Sequence, residues 1–211
     1  MKTLKTLLSV VLIFTSIFIV DAQGKELLTT IKKQIQNKDW DNAEESLTKL
    51  IKDNPNKAVY YSQRGYVKEM NLKYKESIED FTKAIELDPE QPIVRTNRGY
   101  AYRNLKEYDK AISDFKDELK VNPKAIYSYE HISMVYYLKK DYANALKNVN
   151  IAIEKEPSNS ISYKTKALIY KAMGKKKSAC SNKDKAIKMG LLDDYPDFQN
   201  DIDELNQFCS E

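Results

Sequence analysis

The sequence predicts an all-α solenoid built from helix–turn–helix units stacked one on the next. Three observations predict it: prolines at a fixed interval, small residues repeating at that same interval, and little glycine or proline elsewhere. Pro55, Pro89, Pro123 and Pro157 fall 34 residues apart, in "KDNPNK", "ELDPEQ", "KVNPKA" and "KEPSNS". Each closes a helical-looking run, where a residue with fixed φ and no N–H suits a junction between helices. The 211 residues include only five Gly and six Pro, which argues against a strand-and-turn fold. Charged residues make up 31% and hydrophobic ones 42%, enough for a packed core and against wholesale disorder.

The first 22 residues read differently. Lys2 and Lys5 precede "LLSVVLIFTSIFIV", Leu7 to Val20, an apolar run of 14 residues. That is short of the roughly 20 a membrane-spanning helix needs. Val20 and Ala22 then stand at the small-residue positions before a signal-peptidase cut. Residues 1–22 are therefore expected to be an export signal cleaved after Ala22, the alternative being a retained anchor. Export would take the chain to the periplasm or the extracellular space, with membrane contact only through the transient signal. No Cys lies near the cut, so a lipid anchor is not expected. Cleavage leaves 33 basic and 30 acidic side chains, about +3 net. That is too mild for a nucleic-acid partner, which calls for Lys and Arg clustered on one face.

Residues 23–191 divide into five units, 24–57, 58–91, 92–125, 126–159 and 160–191, followed by 192–211. Gly65, Gly99, Ser133 and Ala167 share the eighth position of their units, with Ile31 in the first. Ala43, Ser77, Ala111, Ala145 and Ala179 share the twentieth. The seventeenth holds Trp40, Tyr74, Tyr108 and Tyr142, then Lys176. The twenty-fourth holds Leu47, Phe81, Phe115 and Val149, then Lys183. At the twenty-seventh stand Ala84, Ala152 and Ala186, with Leu50 and Glu118 as exceptions. Small residues at two fixed points let a pair of antiparallel helices approach closely, while the aromatics fill the remaining volume.

This pattern resembles the tetratricopeptide repeat, a 34-residue helix–turn–helix unit with small residues at these positions and Pro near its end. The resemblance covers Gly24 to Leu191 and is closest in the second to fourth units. Degenerate first and last units are expected where one face has no neighbour. The "SAC…KAIKMG" of Ser178–Gly190, followed by a late Cys, further resembles exported members of the family from Bacteroidetes-type bacteria.

Beyond the repeats, Phe198, Ile202, Leu205 and Phe208 lie at helical spacing, predicting a capping helix over Asp197–Cys209. From Asp193 to Glu211 there are seven acidic residues and no basic one, whereas Lys171–Lys188 holds seven Lys and one Asp. Apposition would help docking modestly. Cys180 occupies the twenty-first position, where earlier units carry Ile78, Ile112 and Leu146, a column facing whatever helix follows. For the last unit that helix carries Cys209, so a Cys180–Cys209 disulfide is expected, against two buried thiols as the alternative.

No catalytic chemistry is legible. A single His, His131, excludes His-rich metal cages and leaves little for a Ser–His–acid arrangement. No phosphate-binding glycine loop or nucleophile elbow occurs, so no enzyme, metal, cofactor or small-molecule substrate is expected. The family resemblance implies instead a protein-interaction scaffold whose first helices line a concave groove for a protein or peptide segment. It places Gln63, Tyr66, Asn97, Tyr100, Arg103, His131, Met134 and Tyr137 on that groove, alongside Ser62, Thr96, Lys164, Thr165 and Leu168. Tyr66 and Tyr100 would offer rings to an extended peptide and the amides its backbone bonds. Tyrosines at the fourth and eleventh positions, such as Tyr61, Tyr102, Tyr129, Tyr136, Tyr163 and Tyr170, are expected in the core. One subgroup of the family clamps the C-terminal carboxylate of chaperone tails. Asn97 matches that clamp, but Ser62, Tyr66, Tyr127 and His131 replace its other members, so the clamp is not expected. The alternative function is a structural subunit of a cell-envelope assembly, using convex or end surfaces.

Overall fold

The computed structural model describes residues 26–210, which places the expected export signal, residues 1–22, outside the described part. Those residues form α1 (26–36), α2 (Trp40–Asp53), α3 (Ala58–Met70), α4 (Tyr74–Leu87), α5 (Val94–Asn104) and α6 (Tyr108–Val121). α7 (Tyr127–Leu138), α8 (Tyr142–Lys155), α9 (Ser160–Ala172) and α10 (Lys176–Lys188) continue the series. The tail adds α11 (Leu191–Asp194), a 3-10 turn at Pro196–Phe198, and α12 (Gln199–Ser210). No strand occurs among the described residues. The chain divides between Val94 and Arg95 into two compact units.

In the first unit α3 packs on α2 and on α4. Ala43 and Ser77 are wholly buried, as are Leu47 and Phe81. Gly65 explains the close approach of α3 to α4. A Cβ there would stand 2.8 Å from two carbons of the Phe81 ring, nearer than any van der Waals contact. An ion-pair cluster adds specificity: Arg64 donates to Asp80 Oδ1 and Oδ2 at 2.6 and 2.8 Å, and Lys68 reaches the same carboxylate at 2.8 Å. Lys73 joins α4 to α2 through Glu44 at 2.9 Å and Asp41 at 3.5 Å.

The second unit repeats these devices. Gly99 lies against Phe115 (hypothetical Cβ to Cε1, 2.7 Å), and Arg98 donates to both oxygens of Asp114 at 2.7 and 2.9 Å. Where the twenty-fourth position shrinks to Val149, the eighth grows to Ser133, whose hydroxyl donates to the Ala145 carbonyl at 2.8 Å. α7 pairs with α8 and α9 with α10, while α6–α7 and α8–α9 contacts join successive pairs. Asp141 and Asn159 cap α8 and α9 by accepting from backbone N–H groups of the first turn.

The turn within every helix pair passes through a left-handed residue: Lys38, Leu72, Lys106, Lys140 and Gly174, 34 residues apart, at φ of 57° to 69°. Glycine takes this conformation without strain, yet only the last unit has it.

α12 packs on α9 and α10, the position a further first helix would take. Ile202 and Leu205 are buried there with Leu168, Ala179, Ala186 and Leu191. Charge guides the docking: Lys171 meets Glu204 at 2.7 Å, Lys164 meets Asp201 at 2.8 Å, and Lys183 donates to Asn206 at 2.8 Å. Cys180 and Cys209 are disulfide-bonded, with Cα atoms 5.8 Å apart, tying α10 to α12. Of the tyrosines expected in the core, Tyr163 is buried, while Tyr61, Tyr102, Tyr129, Tyr136 and Tyr170 are half-buried at its edge. Tyr61, for one, packs against the cluster of Phe81, Ala84 and Val94 while its hydroxyl donates to the Pro55 carbonyl.

Candidate peptide-binding face

The first helices of the second unit, α5, α7 and α9, carry a connected set of polar side chains. The Tyr100 hydroxyl on α5 lies 2.6 Å from His131 Nε2 on α7. His131 Nδ1 lies 3.1 Å from Glu130 Oε2, and Thr165 on α9 donates to Glu130 Oε1 at 2.9 Å. One row of hydrogen bonds thus links three helices. Ionised Glu130 only accepts, so His131 Nδ1–H donates to it while Nε2 faces the Tyr100 hydroxyl. Burial pushes the Glu130 carboxyl up. The hydrogen bond and charge of His131, the Thr165 hydroxyl and the charge of Lys164 outweigh it and hold the group below the usual carboxylate range.

Aromatic rings support this row. Phe115 stands 5.7 Å from Tyr100 and 5.3 Å from His131, and Tyr127 lies 5.6 Å from His131 on another side. Because Phe115 fills the hollow left by Gly99, the residue that sets helix spacing also sets the floor beneath Tyr100 and His131. The Arg103 guanidinium rests over the Tyr100 ring at 4.9 Å.

The expected groove residues separate into two groups. Asn97, Tyr100, Arg103, His131, Met134 and Tyr137 are half-buried on α5 and α7, accessible yet held. Burial raises the Tyr137 phenol above its usual range, and its ring lies 6.2 Å from Tyr142. Thr96, Lys164, Thr165 and Leu168 are instead buried between helices. Lys164 is covered because α12 supplies Asp201 and the 3-10 turn before it the Phe198 ring, 3.5 Å from Lys164 Nζ. In the first unit, Tyr66 is exposed and Ser62 is buried, receiving a hydrogen bond from Gln91. Gln63 is half-buried and lines a cleft of about 430 Å³ with Leu28, Ile31, Lys32, Ile35 and Gln36. Among the described residues no group of His, Cys, Asp or Glu could hold a metal ion, and no helix is long and apolar enough to cross a membrane.

The Arg–Asp pairs are the feature sequence reasoning missed. Arg64 and Arg98 share the seventh position, and Asp80 and Asp114 the twenty-third, so the signal was a charge pair repeating every 34 residues.

Two family models, each described as tetratricopeptide repeat, match residues 58–91 and 81–113. No curated protein matches the chain. Among solved structures, a tetratricopeptide repeat protein from Parabacteroides merdae ATCC 43184 superposes with a TM-score of 0.72 at 18% identity, covering 88% of this chain and 73% of that one. MamA from Desulfovibrio magneticus RS-1 gives 0.70 at 14% identity, over 79% of this chain and 94% of that one. The first tetratricopeptide repeat domain of Spaghetti (RPAP3), bound to the HSP90 peptide SRMEEVD, gives 0.51 at 27% identity, over 56% and 93%. Repeats of this family are typically non-enzymatic interaction scaffolds. Residues 58–113 thus match the tetratricopeptide repeat, and the paired-helix fold is the one that solved tetratricopeptide repeat proteins share.

Proposed function

We propose that this chain is an exported scaffold that holds an extended segment of a partner protein against the first helices of its repeats. The observation that carries the reading is the half-buried row of Asn97, Tyr100, His131, Met134 and Tyr137 on α5 and α7. Half-buried aromatics and amides give contact area at low entropic cost and hydrogen bonds to a peptide backbone. The peptide-bound RPAP3 domain supports the same use of the fold. Export rests on the N-terminal sequence, and a disulfide fits an oxidising destination.

Affinity capture from envelope extract tests it, with wild type beside Asn97→Ala/Tyr100→Ala. The double variant should lose the captured partner while keeping the wild-type unfolding curve. Capture that survives the double substitution would favour assembly through other surfaces. N-terminal sequencing of the mature protein should begin at Gln23.

A further inference from the structure

We propose that the cleft between α1 and α3 holds a tyrosine side chain of the bound segment, with its ring among Leu28, Ile31 and Ile35 and its hydroxyl on the Gln63 side-chain carbonyl. The inference rests on the peptide-holding reading above and adds the chemistry of the partner.

The second unit supplies an internal counterpart. Tyr100 holds the ninth position of its repeat and His131 the sixth of the next, 31 residues on. Their rings lie 4.8 Å apart and the Tyr100 hydroxyl stands 2.6 Å from His131 Nε2, so one phenol bridges two successive first helices. In the first unit the same two positions hold Lys32 and Gln63, again 31 residues apart. Lys32 is exposed, and a cleft of about 430 Å³ stands open, lined by Leu28, Ile31, Lys32, Ile35, Gln36 and Gln63. The repeat register thus puts an opening where the second unit carries a tyrosine.

The lining selects for the same side chain. Ile31 is buried with Leu47, Leu50 and Val67, Ile35 packs on that cluster, and Leu28 is 37% exposed, so an apolar ring is well received. One polar atom interrupts this surface: Gln63 Oε1 is buried and has no hydrogen-bond partner among the described residues. An aliphatic or phenylalanine side chain would leave that acceptor unmade. A phenol covers the apolar surface and donates its O–H to the carbonyl.

Charge describes the neighbouring residue of the segment. Lys32 is the only charged side chain lining the cleft, and it makes no ion pair among the described residues. An Asp or Glu beside the tyrosine complements it.

The test is selection of random peptides displayed on phage against the folded chain, with affinities then measured on fluorescein-labelled synthetic copies. The peptides kept should share a tyrosine with an acidic residue beside it. Exchanging that tyrosine for phenylalanine leaves Gln63 buried and unpaired, and should weaken binding about tenfold. Gln63→Leu in the protein should erase the preference for tyrosine over phenylalanine. Lys32→Tyr gives α1 the residue that α5 carries at this position, closes the cleft from within and should abolish binding, whereas Lys32→Gln should keep most of it. Peptides that lose binding in Asn97→Ala/Tyr100→Ala but share no tyrosine, or bind the Lys32→Tyr protein as well as wild type, would overturn the cleft and leave peptide holding intact. No peptide sensitive to either Lys32→Tyr or Asn97→Ala/Tyr100→Ala would overturn both. Melting curves of the Gln63→Leu and Lys32→Tyr proteins separate loss of the cleft from loss of the fold.

Discussion

Gly99→Ala is expected to destabilise the chain, although the same change on an open helix surface would stabilise it. Alanine is favoured over glycine inside a helix by about 1 kcal/mol. Against this, a Cβ at residue 99 would lie 2.7 Å from Phe115 Cε1, 3.0 Å from Cζ and 3.1 Å from Cδ1. Ordinary carbon contacts are about 3.5–4.0 Å, so the ring must retreat by close to an ångström. Phe115 is wholly buried and backed by Tyr100 and His131, leaving no empty side to retreat into. Overpacking of this kind costs about 1–3 kcal/mol, so the net loss should be about 1 kcal/mol. Urea unfolding followed by circular dichroism should show a lower midpoint with an unchanged slope. A double-mutant cycle makes the cause visible. In a Phe115→Leu background the clash disappears, and Gly99→Ala should become neutral or stabilising by up to about 1 kcal/mol, a sign reversal. If Gly99→Ala stabilises both backgrounds alike, close helix approach does not govern this fold.

Leu72→Gly should stabilise by about 0.5–1 kcal/mol: relief of left-handed strain of about 1–2 kcal/mol exceeds the extra flexibility glycine gives the unfolded chain. Leu72 has φ 61° and is 71% exposed, so little packing is lost, and thermal melting reads the gain. Reducing the Cys180–Cys209 disulfide, whose 29-residue separation sets the loop, should lower stability by about 3.5 kcal/mol in the chain-entropy model, measured by urea unfolding with and without reductant. Glu130 is held below its ordinary range, so its contribution is complete above the unfolded carboxylate value, about 4.3, and lost as pH falls through the lower folded one. The stability gap between wild type and Glu130→Gln should therefore be constant from about pH 5 to 7 and narrow below about pH 4.

Much of the architecture was legible because helix pairing is local. The eighth and twentieth columns and the large residues at the twenty-fourth lie within one unit, and repetition exposed them. The left-handed column was hidden because Lys38, Leu72, Lys106 and Lys140 stand where glycine would announce the turn. At the candidate site, helical spacing identified one face of each first helix but not which residues a neighbouring helix would cover. Thr165 is buried because Glu130, 35 residues earlier, reaches it, and Lys164 because Asp201, 37 residues later, does. The linkage of Tyr100, His131 and Glu130 depends on side-chain placement across two helices, which no residue pattern encodes.

Site-specific photo-crosslinking tests the proposed use of the fold most directly. A benzophenone amino acid placed at Met134, on the candidate face of α7, is compared with one at Lys116, on the exposed side of α6. Illumination in envelope extract should yield a partner adduct from residue 134 and none from residue 116. An adduct from residue 116 alone would contradict the account and move the binding surface to the second helices.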